Sequence, residues 1–170
     1  MTRGSVEPET EPGTPLQDLR DPRVKIRVAA AKALGKDNPG GAVPALIAAL
    51  SDKHASVRCE AALALGKIRD SSAVPSLLTM LDDRDPEIRS AGLVALGKIR
   101  DPASVPLIIA HIHDPDSNVR IGILWTLASI GDCRAVPPVR DCLRDPFLDV
   151  REAAEEALCR LLKRSGTVRP

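Results

Sequence analysis

Histidine and cysteine are the side chains with the widest chemistry in this chain, and their spacing limits what they could do. His111 and His113 form an HxH pair that could ligate a metal ion. Residues two apart on a helix, however, point about 200° away from each other and hold one ion poorly. His54 falls at the expected start of another helix, where it could act as a cap. We therefore predict no metal site and no cofactor.

The cysteines show no spacing typical of a zinc site or a redox pair. None of the four forms a CxxC pair, so we expect reduced thiols and a cytoplasmic protein. Only Cys133, in a turn, is expected to be exposed. The sequence also contains no phosphate-cradling, dinucleotide-binding or HExxH motif, which argues against an enzyme that acts alone.

Arginine recurs every 31 residues and could provide a row of anion-binding groups. The row consists of Arg27, Arg58, Arg89, Arg120 and Arg151. An aspartate stands six residues before each arginine, so we expect the charges to be neutralised within the protein. We interpret these two rows as structural, with Asp52, Arg58, Asp83, Arg89, Asp114 and Arg120 as their central members.

The interval of 31 residues recurs in the apolar sequence. The motif ALGKIRD occupies residues 64–70 and returns at residues 95–101, with a shorter copy at 33–36 and a degenerate one at 126–132. Proline follows the same period at Pro44, Pro75, Pro106 and Pro137. A fixed period above about twenty residues is typical of repeat proteins.

Each repeat is predicted to contain two helices. Val57, Ala61, Leu65 and Ile68 fall on one face of a first helix of about fourteen residues. A second helix of about ten residues follows a turn, and we expect the Gly and Lys of ALGKIRD to close the first helix. Neither helix can bury its apolar face alone, so neighbouring repeats must stack. We predict a disordered tail at residues 1–14, a solenoid at 15–164 with a polar terminal helix, and a flexible tail at 165–170.

Composition narrows the choice of partner. The 170 residues carry 24 Lys plus Arg against 23 Asp plus Glu, with one Trp, one Phe and no Tyr. Binding to nucleic acid favours a basic face and aromatic side chains for base stacking, so we predict no nucleic-acid partner. No apolar run is long enough to span a membrane, and we predict no membrane interaction.

The pattern VR, then AA or AL, ALGKIRD and AVPxLLxxLxD is similar to the short HEAT-like repeat first associated with phycobilisome lyases. The resemblance covers residues 15–164. It implies an all-α, right-handed α-solenoid of about four and a half repeats, with first helices on the convex side and second helices on the concave side. It also implies a protein partner, and an Asp–Arg ladder in which the two rows link turns and neighbouring repeats. Two functions stay open: a non-catalytic interaction scaffold, and a subunit of a bilin lyase or a pigment-protein chaperone that would act with a partner.

Two surfaces are candidates for the partner, and we expect a monomer or a weak homodimer. The family's usual binding face is the concave one, where the helical wheel places Ser76, Thr79, Asp82, Leu107, Ala110, His113, Asp141 and Arg144. The convex candidate is an apolar group on the first helices, consisting of Leu63, Val94, Ile121 and Trp125. These convex side chains could equally pack between neighbouring first helices.

Overall fold

The computed structural model describes residues 13–164, and these residues form helices and turns without a β-strand. The first helices make one layer: α2 (Val24–Asp37), α4 (Ala55–Ile68), α6 (Pro86–Ile99), α8 (Ser117–Ile130) and α10 (Leu148–Arg164). Shorter second helices make the other layer: α1 (Pro15–Asp18), α3 (Ala42–Ala49), α5 (Val74–Thr79), α7 (Val105–Ala110) and α9 (Val136–Asp141). Each first helix packs against the next, as the predicted solenoid requires.

The N-terminal end of the described segment begins within the predicted N-terminal tail. Thr14, which the prediction placed in the N-terminal tail, caps α1: its side chain accepts a hydrogen bond from the Gln17 amide, and the Gln17 side chain accepts one from the Thr14 amide. Such a capping box satisfies two otherwise unpaired donors. The remaining predicted tail residues, apart from Gly13, lie outside the described residues.

The second helices are shorter than predicted. Helices α5, α7 and α9 have six residues each and follow a short 3₁₀ turn, as in Ser71–Ala73 before α5. An aspartate opens each of these turns: Asp70, Asp101 and Asp132 accept a hydrogen bond from the amide two residues ahead. The α-helical part is therefore shorter than the expected ten residues or so, because side-chain capping supports a 3₁₀ turn at its start and a second 3₁₀ turn follows α5 and α9.

The glycine of the ALGKIRD motif lies inside the first helix rather than closing it. Helix α4 ends two residues after Gly66, and its C-cap Arg69 adopts the left-handed conformation with φ 63°. A Cβ atom on Gly66 would lie 2.8 Å from the Cα atom of Ala95 on α6. Gly35 approaches Ala64 in the same way. The expectation that Gly closes the helix is wrong; this glycine sets how closely first helices approach each other.

The last helix has a polar side where the stack ends. Glu155 occupies the repeat position at which Ala62, Leu93 and Leu124 are buried, and it is exposed. Cys159 is exposed too, so Cys133 is not the sole exposed cysteine of the described residues. A polar outer side is what a terminal repeat needs in order to remain in water.

The Asp–Arg ladder connects consecutive repeats. Arg89 donates to both carboxylate oxygens of Asp114 in the next repeat, at 2.8 and 2.7 Å, and to the backbone carbonyl of Asp83 in its own repeat at 2.9 Å. Arg27 binds Asp52 and Arg120 binds Asp145 in the same bidentate way. Each of these arginines thus pairs with the carboxylate of the next repeat, while the aspartate six residues before it contributes its backbone carbonyl.

One connection of the ladder is loose. The Arg58 Nη2 atom lies 3.4 Å from Asp83, and the buried Arg58 Nε atom is the one buried side-chain nitrogen or oxygen of the described residues without a hydrogen-bond partner. Both side chains of this pair are more exposed than those of Arg89 and Asp114. The two pairs share a chemical type and differ in burial and geometry.

That difference predicts unequal losses of stability. Replacing Arg89 by Ala leaves Asp114 buried without a cation, and we expect the free energy of unfolding to fall by about 3–5 kcal/mol. Arg58→Ala is the matched control and should lose about 1 kcal/mol or less, because its ion pair is long and partly hydrated. Urea denaturation of both variants measures the difference; equal losses would contradict a stabilising role specific to the buried pair.

Gly66 and Gly97 occupy the same position of the ALGKIRD motif, so alanine substitutions at the two sites can be compared directly. Gly66→Ala places a methyl group against backbone that has no room for it, and we expect a loss of about 1–3 kcal/mol in unfolding free energy. Gly97 stands at the same motif position but faces Thr126 at an ordinary 3.5 Å. Gly97→Ala should be neutral or stabilise by up to about 1 kcal/mol through helix propensity. Thermal unfolding followed by circular dichroism tests the pair, and a neutral Gly66→Ala would contradict the close approach.

Candidate functional site

A groove with a volume of about 520 Å³ lies between α5 and α7 on the second-helix face. This is the face that the family resemblance assigns to the concave side. Its walls are mainly apolar, and its polar residues include two carboxylates and one imidazole. The apolar lining is Val74, Pro75, Leu78, Ala103 and Leu107; the charged or titratable lining is Asp82, Asp101 and His111.

Leu107 is the exposed large apolar side chain of this groove. It lies in α7 and is 54% exposed, which is unusual for a leucine. The equivalent residues one repeat before and after are Ser76 and Pro138, so the leucine is specific to this repeat. An exposed leucine beside further apolar side chains marks a surface that can bury a partner's apolar group.

His111 and Asp82 form the polar end of the groove. The His111 Nε2 atom lies 3.1 Å from Asp82 Oδ1, and Nδ1 lies 3.0 Å from the Leu107 carbonyl oxygen. Both neighbours are acceptors, so only the doubly protonated ring satisfies both contacts. Burial lowers the pKa of His111, but the hydrogen bonds to Leu107 and Asp82 outweigh it and the pKa is raised above its ordinary value.

The structure brings together part of the predicted second-helix set. Thr79, Asp82 and Leu107 line the groove. Ser76 is half-buried outside the lining, and the Thr79 hydroxyl donates to its carbonyl oxygen at 2.8 Å. The other predicted members are exposed and also lie outside the lining: Ala110, His113, Asp141 and Arg144.

The sequence reasoning missed Asp101 and His111 as titratable residues of the groove, and the repeat pattern carries a signal for His111. Its counterparts at the 31-residue interval are Ala49, Met80 and Cys142, which are buried or half-buried. A polar side chain in an otherwise apolar row is a signal that could have identified it. His113, which the helical wheel placed on the concave face, is exposed. Across residues 13–164 no group of three or more His, Cys, Asp or Glu side chains could hold a metal ion.

The predicted apolar group on the first-helix face is only partly assembled. Val94, 46% exposed, and half-buried Trp125 line one groove between α6 and α8. Leu63 and Ile121 are half-buried and do not line it, and Ile121 packs against the core. The guanidinium of Arg160 covers the Trp125 ring at 4.5 Å.

No helix within the described residues is long and apolar enough to cross a membrane.

The two layers of helix pairs, the 31-residue repeat and the open groove define an α-solenoid. The sequence model of the family described as HEAT repeats matches residues 14–96 and 74–159. The chain therefore belongs to the HEAT repeat family. No curated protein matches it.

Solved structures with this fold include natural and designed proteins. The complex of CpcE and CpcF of phycocyanin lyase from Nostoc sp. PCC7120 is 28% identical, with a TM-score of 0.77 over 96% of this chain and 70% of that chain. A designed armadillo repeat protein in complex with the peptide (KR)4 is 18% identical, with a TM-score of 0.69 over 86% and 80%. Computationally designed armadillo repeat proteins for modular peptide recognition are 18% identical, with a TM-score of 0.60 over 87% and 82%. At 18% identity, the two armadillo comparisons establish the shared fold alone.

The His111 contacts predict a pH dependence of stability. Because the folded-state pKa of His111 is raised, its stabilising contribution is fully present below the unfolded value of about 6.5 and is lost as pH rises through the folded pKa. His111→Gln should therefore lower Tm more at about pH 5.5 than at about pH 8.5. The corresponding difference in unfolding free energy between the two pH values should stay below about 1 kcal/mol, since Asp82 is largely exposed. His113→Gln is the control; an identical pH profile for both variants would contradict the interaction.

Proposed function

We propose that this protein is a non-catalytic scaffold that binds a segment of a partner protein in the groove between α5 and α7. The observation that carries the proposal is the exposed Leu107 beside other apolar side chains, with Asp82 and Asp101 at the edge. Apolar burial supplies affinity, and the carboxylates supply selection for charge. The partner segment should therefore combine an apolar anchor with Lys or Arg.

A solved complex with the same fold supports a basic peptide as the ligand. A designed armadillo protein of similar fold binds the basic peptide (KR)4. In the present chain the groove carries Asp82, whose side chain is 80% exposed, and this carboxylate is available to a second cation besides His111. We extend the proposal to a cytoplasmic protein that is a monomer or a weak homodimer, in keeping with its free cysteines.

A second candidate function is that of a bilin lyase subunit or pigment-protein chaperone. The specific observation in its favour is the 28% identity to the CpcE and CpcF complex of phycocyanin lyase, over 96% of this chain. In this case the protein would act together with a partner chain. The same groove would then contact that partner or a pigment-bearing substrate.

Peptide selection with matched variants tests the scaffold function. Peptides selected from a random display library on the wild-type chain should lose most of their affinity for Leu107→Glu, because the new carboxylate replaces the apolar anchor. Val94→Glu is the control: Val94 has comparable exposure but lies on the first-helix face. Isothermal titration should show at least about a tenfold loss for Leu107→Glu alone. Equal binding by both variants would exclude this groove.

The lyase alternative has a separate readout. Mixing the chain with a bilin, alone and with a candidate partner subunit, should change the visible absorbance of the pigment if the chain takes part in pigment handling. An unchanged spectrum, together with peptide binding that depends on Leu107, favours the scaffold.

A further inference from the structure

A band of cations follows the C-terminal ends of the first helices, on the opposite side from the groove described above. Lys36, Lys67 and Lys98 occupy the same position in α2, α4 and α6, and all three are exposed. Arg100, Arg160 and Arg164 continue this band, which we call the cationic band. We propose that the band is a second docking surface, for an extended acidic segment of a partner protein. The proposal does not depend on the function of the groove.

Three grooves between first helices make up the floor of the band. The groove between α2 and α4 is lined by Lys32, Lys36 and Lys67 with small apolar residues. The groove between α6 and α8 adds Lys98 and Arg100. The groove between α8 and α10 adds Arg160 and Arg164. Their volumes are about 490, 360 and 380 Å³, and none of the three is lined by Asp or Glu. A surface of this kind favours a ligand with negative charge.

Among the nearby carboxylates, Asp37 is exposed beside Lys36 at the end of α2, whereas the others are engaged elsewhere. Asp70 and Asp101 accept hydrogen bonds from the amides of the turns that follow, and Asp101 also lines the groove on the second-helix face. Asp132 pairs with Arg134. Within residues 13–164, Arg160 is the one member of the band that forms an ion pair, with Glu156. The band is therefore largely unneutralised although the whole chain has a formal charge of +1.

The band remains cationic where the lysine row is interrupted. Ser129 stands at the lysine position in α8. Arg164 of the next helix donates to the carbonyl oxygen of Ser129 at 2.9 Å and so places its guanidinium over the C-terminal end of α8. Cations are favourable at helix C-termini, because the last carbonyl groups carry partial negative charge.

The spacing of the band matches an extended peptide. Packed helices lie about 8–10 Å apart, so Lys36, Lys67 and Lys98 should repeat at that interval. A polyproline II segment rises about 3.1 Å per residue with three residues per turn, so every third side chain lies on one face about 9 Å further on. An acidic residue at every third position would meet one lysine per repeat. A nucleic acid fits less well, because Arg160 already covers one face of Trp125, the only tryptophan, which limits its use as a base-stacking platform.

Two peptides of identical composition test the spacing. One has four Glu-Pro-Pro repeats; the other has four contiguous Glu followed by eight Pro. Trp125 lines the band and reports binding through its fluorescence, and isothermal titration gives the affinity. We expect the spaced peptide to bind the wild-type chain at least about threefold more tightly than the clustered one. Equal affinity for the two peptides would overturn the proposed match between acidic residues and the lysine row. This test needs only the wild-type chain.

Charge-matched variants test the location. The variant Lys36→Gln, Lys67→Gln, Lys98→Gln should bind the spaced peptide about tenfold more weakly, because three exposed ion pairs are lost. The control Lys25→Gln, Lys53→Gln, Arg84→Gln removes the same charge from exposed side chains before or at the start of first helices. An equal loss in both triple variants would show a general charge effect and overturn the site.

Two further measurements separate this surface from its alternatives. Tighter binding of an oligothymidine than of the spaced peptide would overturn the choice of a protein partner in favour of a nucleic acid. Leu107→Glu, on the opposite face, should bind the spaced acidic peptide as the wild type does. A loss of binding in that variant would place the acidic peptide in the groove and overturn the proposal. The role of the groove would still be tested separately, by the peptides selected on the wild-type chain.

Discussion

The close approach of consecutive first helices is the constraint on which the rest of this structure depends. Gly35 faces Ala64 and Gly66 faces Ala95 at distances that leave no room for a side chain on the glycine. The helix axes are thereby held at one distance and in one register. At the α2–α4 contact this register brings Arg27 onto Asp52 of the next repeat. The ion pairs then link neighbouring repeats, while apolar burial between the two layers supplies most of the stability.

The same constraint relaxes along the stack. Thr126 replaces alanine opposite Gly97, and Ala128 replaces the glycine in α8. Helix α6 packs less extensively on α8 than on α4. Trp125 becomes part of a surface groove at this point, and its ring is covered by Arg160 from the last helix. Variation from the repeat consensus therefore creates the individual surface features, whereas the consensus residues create the frame.

The two faces of the solenoid differ in charge and in apolar exposure. The second-helix face presents Leu107 with Asp82 and His111, whereas the first-helix face presents Lys and Arg at the helix C-termini. This division follows from the repeat itself, because turn aspartates such as Asp101 cap the following 3₁₀ turns and are directed toward the second helices. A scaffold with opposite charge preferences on its two faces could hold two different partner segments at once.

The sequence by itself determined the helix pairs, the period and the family. Apolar spacing at three and four residues and three rows with a 31-residue interval leave little freedom in local structure. Tertiary structure decided which residues meet. Spacing alone favoured the aspartate six residues before each arginine, but packing places the aspartate 25 residues ahead within reach. Packing also places His111 beside Asp82 and Gly66 against Ala95 of the next first helix. The physical reason is that these contacts depend on how neighbouring repeats pack, so the spacing of residues within a single repeat does not determine them.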